Sequence, residues 1–364
     1  LRTASHQNRS HYSALDGLRG LASLLVVIYH NFGFINHYFF FGWLGLDIFF
    51  VLSGFLITDI LLSTVGNANY LRNFYARRIL RVFPLYYVAL LIFLLVLPNI
   101  KNIPLQLNYY VNHQAWLWFY LQNWLYVFYP SSSQSTLNHL WSLAVEEQFY
   151  LLWPLIIMAL RKAKYILLFI SLVLLLTIGL RYWAWVNHIE NFAYYNLYTF
   201  TRIDGICVGC MVALLQRINP KFLVKNTAAI VSIFAGFNFL FYFFNRRYQF
   251  SFPYLAIIGY TTFAMLFGLL IYDMVNRQTK FFTSFFSVGI LRFCGTVSYG
   301  CYIIHWPLYL ATKHYLEQFA EQHIGCISPQ FFASTIATLA SYGIGYLSYR
   351  YFEMRFLKLK KYFN

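Results

Sequence analysis

Charged residues are scarce in this chain: 10% are Asp, Glu, Lys or Arg, against about a quarter in soluble domains. Acidic residues are scarcer still, 11 beside 27 basic ones. With 60% hydrophobic and 22% aromatic residues, so little charge excludes a water-soluble globule, which could not cover that much apolar surface. Cysteines are few as well. Cys207, Cys210, Cys294, Cys301 and Cys326 are an odd number at no framework spacing, which argues against a disulfide scaffold. "CVGC" at 207–210 has the spacing of a metal or redox pair, but it stands in an apolar segment with no second pair nearby, so no metal is expected. Missing too are a GxSxG elbow, a GxxxxGKS/T loop, an HExxH pair and a Rossmann glycine fingerprint. Serine hydrolysis and nucleotide hydrolysis therefore have no support. The polar, basic opening "LRTASHQNRS" does not read as a signal peptide, so none is expected.

What the chain does have is ten apolar runs, each near the roughly 20 residues a bilayer requires. Their approximate limits are 17–36, 43–63, 82–98, 139–160, 165–182, 201–218, 226–244, 253–275, 295–315 and 330–350. The expected fold is all-α: a polytopic bundle of about ten transmembrane helices forming one domain, 1–364. Lys and Arg cluster on the side that carries the N-terminus. If ten helices span, 21 of the 27 fall on that side and 6 on the other, which places both termini in the cytoplasm. The formal charge of +16 is then an orientation signal, and no nucleic-acid partner is expected. The long connection 99–138 falls outside, and its "NYYVNHQAWLWFYLQNWLYVFYP" suits a stretch lying at the outer interface.

Polar groups inside apolar spans cost a few kcal/mol each on insertion scales, so each is a functional candidate. In "LDGLRGLASLLVVIYHNF", residues 15–32, Arg19 and His30 are 11 residues apart. That is about three helical turns, so they share a face separated by roughly 16 Å. Asp16 could cap the helix or pair with Arg19. The structural alternative is a snorkelling arginine and a packing histidine. In "RRILRVFPLYY", Arg78 and Arg81 stand one turn apart with Arg77 beside them. Such a cluster suits phosphate recognition, or else a simple membrane anchor. In "HLWSLAVEEQFYLLWP", His139, Ser142, Glu146 and Tyr150 share one face and Glu147 points about a quarter turn away. A buried carboxylate there can support a histidine or act as a base. Weaker candidates are Asp47 and Ser53 in "GWLGLDIFFVLSGFLIT", whose small residues also permit close helix packing. Ser298, Tyr302 and His305 in "SYGCYIIHWPL" share a face, and Arg202 with Asp204 reads as an ion pair at a helix end.

In order, "YSALDGLRGLASLLVVIYH", "FFVLSGFLIT", "RRILRVFPLYY", "HLWSLAVEEQFYLLWP" and "SYGCYIIHWPL" resemble the membrane acyltransferase 3 family over nearly the whole chain. Its arginine–ten residues–histidine motif maps onto Arg19 and His30, its RxxR motif onto Arg78 and Arg81, and its acidic element onto Glu146 and Glu147. The resemblance implies a ten-helix O-acyltransferase of the bacterial inner membrane. It would move acetyl from cytoplasmic acetyl-CoA to a surface or lipid-linked carbohydrate, with lipopolysaccharide O-antigen the first choice. Peptidoglycan, capsule and a secreted glycoside are the alternatives, and a flippase or glycan polymerase is the competing class. A chain ending at "FLKLKKYFN" resembles members without a periplasmic esterase-like domain. Within this reading Arg19, Arg77, Arg78 and Arg81 hold the CoA phosphates. His30 is the base or accepts the acyl group, with Glu146 or Glu147 orienting it. Asp47, His139, Ser142, Tyr302 and His305 are substrate-side candidates.

Overall fold

The computed structural model describes residues 13–35, 41–101, 103–131, 135–218, 227–247, 254–276, 279–325 and 328–363. The leader "LRTASHQNRS" and Lys221, Lys225, Arg277 and Cys326 lie outside the described residues. Ten long helices are found among them: α1 Ser13–Asn31, α2 Leu44–Thr64, α3 Tyr70–Leu91, α4 Trp141–Leu160, α5 Ala163–Val186, α6 Asp204–Ile218, α7 Thr227–Arg247, α8 Tyr260–Asn276, α9 Gly289–His323 and α10 Pro329–Leu347. No strand occurs among the described residues.

Six helical stretches are long and apolar enough to cross a membrane: Leu44–Thr64, Tyr70–Asn99, Asn138–Leu160, Ala163–Val186, Thr227–Phe244 and Ile257–Asn276. A seventh candidate is the pair Lys280–Phe286 and Gly289–His323, which meet at 59°. Among the described residues, six or seven of the ten expected spans thus have the length and composition of a crossing helix. α6 has 15 residues, short of the bilayer thickness. α1 and α10 are diluted by Ser, Thr, Asn and His side chains, several of which bond to each other.

Two compact units divide the chain: 1–20, 47–67 and 149–293 form the first, and 21–46, 68–148 and 294–364 the second. In the first, α5 shows how a spanning helix sorts its faces. Ile166, Ile170, Leu174, Thr177, Arg181 and Ala184 are buried at three- and four-residue spacings. Leu168, Leu172, Leu175 and Leu176 remain exposed on the other side, as a lipid-facing surface does. Glycines bring α2 and α6 together. A Cβ on Gly54 would lie 2.0 Å from the Ile206 carbonyl oxygen, and one on Gly209 would lie 2.1 Å from that of Val51. "CVGC" is therefore a helix-packing sequence, and its two thiols are free and buried.

Arg181 is fully buried and binds Asp204 at 3.0 Å, while Arg202 binds Asp47 at 2.6 Å. Thr261 ties the first pair together, accepting from Arg181 and donating to Asp204, both at 2.6 Å. Arg202 also lies 3.7 Å over the Tyr260 ring. Arg202 and Asp204 attract each other, as the sequence suggests, and each also takes an ion-pair partner from a distant helix. Burial of two cations and two anions is tolerable only because the charges cancel within one network.

In the second unit, α10 pins α1. Ser23 Oγ meets Tyr342 OH at 2.9 Å, Asn31 Nδ2 donates to Thr338 Oγ1 at 3.0 Å, and Ser334 Oγ donates to the Asn31 carbonyl at 2.5 Å. α9 and α10 touch through Gly300 and Gly345, where a Cβ on Gly300 would stand 3.3 Å from Gly345 Cα. The connection after α3 has structure of its own. It folds into short helices, Asn108–Asn112, Gln114–Trp118 and Gln122–Phe128, and buries Leu107, Tyr110, Leu117, Tyr120, Leu125, Tyr126 and Leu137. Tyr86 and Tyr87 of α3 donate to the carbonyls of Leu117 and Trp118, and Gln148 of α4 donates to that of Tyr120. Tyr110, Tyr120 and Tyr126 are packed inside, whereas Phe119, Phe128 and Tyr129 remain exposed.

Candidate active site

The polar groups of the second unit converge on the pinned end of α1. His305, fully buried on α9, has Nδ1 2.8 Å from the Tyr302 carbonyl oxygen. A carbonyl can only accept, so Nδ1 carries the proton and Nε2 the lone pair. His30 Nδ1 lies 2.9 Å from that Nε2 and must donate to it. His30 is therefore held with its proton on Nδ1 and a lone pair on Nε2, its ring partly exposed. The two rings stack at 5.1 Å, and Trp306 stands 5.4 Å from His30 on another side. One backbone carbonyl thus sets the tautomer of an imidazole two residues removed in the chain of bonds.

His139 completes the group. Its ring packs edge-on to His305 at 5.2 Å, its Nε2 donates to the Ile303 carbonyl at 3.2 Å, and its buried Nδ1 has no hydrogen-bond partner. Tyr302 OH donates to the His139 carbonyl and accepts from Ser142 Oγ at 2.7 Å. Three imidazoles invite a metal reading, but both nitrogens of His305 are already engaged. Among the described residues no three His, Cys, Asp or Glu groups are placed to hold an ion.

Below this cluster the polar column continues along α4. Glu146 acts electrostatically on Tyr302 and on Glu147. Glu147 has Arg78 as its offsetting cation, and its field reaches Tyr86, Tyr87, Tyr120 and Tyr299. Tyr299 OH donates to the Val82 carbonyl at 2.6 Å, one residue beyond Arg81. Electrostatic interactions thus relate Arg78 to Glu147, Glu147 to Glu146, and Glu146 to Tyr302. The sequence reading has a glutamate orient His30. The bond that the structure shows at His30 Nδ1 is to His305 of α9.

The arginine end carries concentrated positive charge. Arg77, Arg78 and Arg81 on α3 all act on Lys360, which lies in the 3₁₀ turn Lys360–Tyr362 after the helix Met354–Leu359. Burial, with the fields of Arg81, Arg78 and Arg77, lowers the Lys360 ammonium from its usual value to about 7. Glu353, buried and accepting from Ser348 Oγ at 3.2 Å, is the anion acting on Arg81. Four cations crowded around so few anions form a site that a polyanion would relieve.

An acyltransferase-domain family model matches residues 12–356. The chain belongs to the membrane acyltransferase 3 family. Peptidoglycan O-acetyltransferase OatA of Listeria monocytogenes is 30% identical over 373 residues, covering 97% of this chain and 57% of that protein. Putative peptidoglycan O-acetyltransferase YrhL of Bacillus subtilis is 31% identical over 368 residues, covering 95% and 55%. O-acetyltransferase OatA of Staphylococcus aureus is 31% identical over 324 residues, covering 84% and 51%. The chain spans about half the length of the curated relatives it matches. No solved structure matches it.

Within the family's motifs, the structure brings His30, His139, Ser142, Tyr302 and His305 into one cluster, with Glu146 acting electrostatically on Tyr302 and Arg78 on Glu147. Arg19 belongs to the first unit, where it pairs with Asp16 at 3.6 Å. Asp47 is there too, committed to Arg202. Sequence reasoning passed over Tyr86, Tyr120, Tyr299 and Lys360. The adjoining "FPLYY" and "SYGCY" held the signal for Tyr86 and Tyr299, since hydroxyls buried in apolar spans need partners.

Proposed function

We propose that this chain transfers an acetyl group from acetyl-CoA to a hydroxyl of a peptidoglycan sugar, with His30 as general base. The observation that carries the reading is the tautomer of His30: its only proton is donated to His305, so the Nε2 lone pair is free to take a proton from the acceptor. As the sugar oxygen attacks the thioester carbonyl carbon, its proton passes to Nε2, the C–S bond breaks, and CoA leaves as a thiolate that is then protonated. His30 becomes an imidazolium, and its Nδ1–H bond to His305 becomes charge-assisted and stronger. His305 thus does for His30 what a carboxylate does in a hydrolase triad.

Arg77, Arg78 and Arg81, with Lys360, supply the charge for the phosphates of the donor, and Arg19 keeps the donor role its motif implies. Ten spans with both termini in the cytoplasm fit this polarity, because CoA is a cytoplasmic polyanion and the acceptor is outside. The relatives' names favour peptidoglycan over O-antigen as acceptor. The test is a reconstituted chain supplied with acetyl-CoA and a soluble oligomer of N-acetylated sugars, read by thiol release and O-acetyl product. His30→Ala is expected to abolish transfer and retain donor binding. Transfer by that variant at the wild-type rate would sink the mechanism.

A further inference from the structure

One cavity lies outside the catalytic column. It has a volume of about 450 Å³ and is lined by Leu105, Gln106, Leu107, Asn108, Tyr109 and Ser131, within the roughly 300–1,000 Å³ of small-ligand sites. Its chemistry is specific. Two side-chain amides and a hydroxyl offer donors and acceptors together, and Tyr109 offers an aromatic face. None of the six residues is charged, which disfavours a phosphate or carboxylate ligand. Beside the cavity, Tyr109 packs on His113 at 4.9 Å, and His113 on Tyr129 at 5.8 Å. Tyr129 is half exposed, so aromatic surface continues from the cavity's edge. Amides, a hydroxyl and ring faces without charge suit a neutral sugar chain, whose hydroxyls bond to the former and whose C–H faces stack on the latter.

The cavity is also joined to the base. Thr136 Oγ1 donates to the Gln106 carbonyl at 3.1 Å, and Trp306 Nε1 donates to the carbonyl of the preceding residue, Ser135, at 2.7 Å. Trp306 is the residue whose ring lies 5.4 Å from His30. Two hydrogen bonds and one ring contact therefore connect the cavity wall to the catalytic imidazole. The arginine end of α3 is far away, since 18 helical residues separate Arg81 from Asn99, or about 27 Å, and the cavity begins beyond Asn99.

We propose that this cavity binds one or two sugar units of the acceptor glycan flanking the unit that is acetylated. The inference rests on the acyltransfer reading above and locates its acceptor. The test uses the full chain in detergent or nanodiscs and a β-1,4-linked tetramer of N-acetylglucosamine as the probe, with equilibrium binding measured directly. Asn108→Ala removes an amide, and Ser131→Trp fills the space without removing one. Each variant is checked for wild-type helical content and elution. The wild type is expected to bind the tetramer, and each variant to bind it about tenfold more weakly or worse, the effect of one lost hydrogen bond. No binding by the wild type, or equal binding by well-folded variants, would overturn the inference. Acetyl-CoA hydrolysis by the wild type, read in the same preparation, separates the two claims. Its absence counts against the donor reading, whereas hydrolysis without tetramer binding counts against the cavity alone.

Discussion

Replacing His305 tests whether the tautomer of His30 is set from α9. In His305→Phe the ring volume is nearly kept and the acceptor for His30 Nδ1–H is lost. A hydrogen bond to a group that becomes charged contributes about 1.5–3 kcal/mol, which alone predicts a fall of roughly tenfold to 150-fold in kcat. Releasing the tautomer adds to this, because His30 can then carry its proton on Nε2 and cannot accept. A wrong tautomer costs about 10⁴ where it has been imposed on a triad histidine, so the expected fall lies between about 10² and 10⁴. His305→Gln places an amide oxygen near the lost Nε2 and is expected to recover part of the rate. The assay is steady-state acetyl transfer by reconstituted protein, with donor KM and the pH profile measured beside kcat. A positioning role predicts lower kcat, an unchanged donor KM and an altered pH profile. A His305→Phe variant within about twofold of wild type in kcat would refute the chain of bonds from Tyr302 to His30.

Three further predictions follow from other parts of the molecule. Lys360 loses its proton near pH 7, and a bound polyanion would hold that proton on, so donor affinity is expected to be full below pH 7 and to weaken as pH rises through 7–9. Lys360→Met should raise donor KM at pH 6 and flatten that pH dependence; an unchanged profile would remove Lys360 from the donor site. Arg181→Met leaves Asp204 buried without its cation and is expected to cost about 3–5 kcal/mol, read as a lowered midpoint of thermal unfolding. Arg181→Met with Asp204→Leu should recover much of the loss, and a silent single variant would deny the network a structural role. Gly54→Ala puts a methyl group 2.0 Å from the Ile206 carbonyl oxygen, so overpacking of about 1–3 kcal/mol is expected. Wild-type stability in that variant would mean that α2 and α6 do not meet closely.

The helices were legible because apolar runs of bilayer length announce themselves, and α5 shows the agreement: the run 165–182 became Ala163–Val186. Arg78, Glu146, Glu147 and His30 were legible for the opposite reason, being polar where lipid penalises polarity. Partners were not. His30 and His305 are 275 residues apart in the chain, and no local periodicity relates them. The same holds for Arg202 with Asp47, 155 residues apart. Adjacent Arg202 and Asp204 suggested a local pair, and they do attract each other, but their partners Asp47 and Arg181 lie on other helices. In the segment 99–138 the sequence did not separate inward from outward aromatics: Tyr110, Tyr120 and Tyr126 are buried, while Phe119 and Phe128 are exposed. Two of the buried ones have hydrogen-bond partners inside the fold: Tyr126 OH donates to the Leu137 carbonyl and Tyr110 OH accepts from the Leu137 amide.

The most direct test of the central claim is the O-acetyl content of peptidoglycan, measured as base-released acetate per muramic acid in isolated cell wall. Three strains are compared: one lacking the gene, one complemented with wild type and one complemented with His30→Ala at equal membrane abundance. The account predicts acetate restored by wild type and absent with His30→Ala. Restoration by His30→Ala would contradict the assignment of the base, and acetate unchanged by loss of the gene would contradict peptidoglycan as the acceptor.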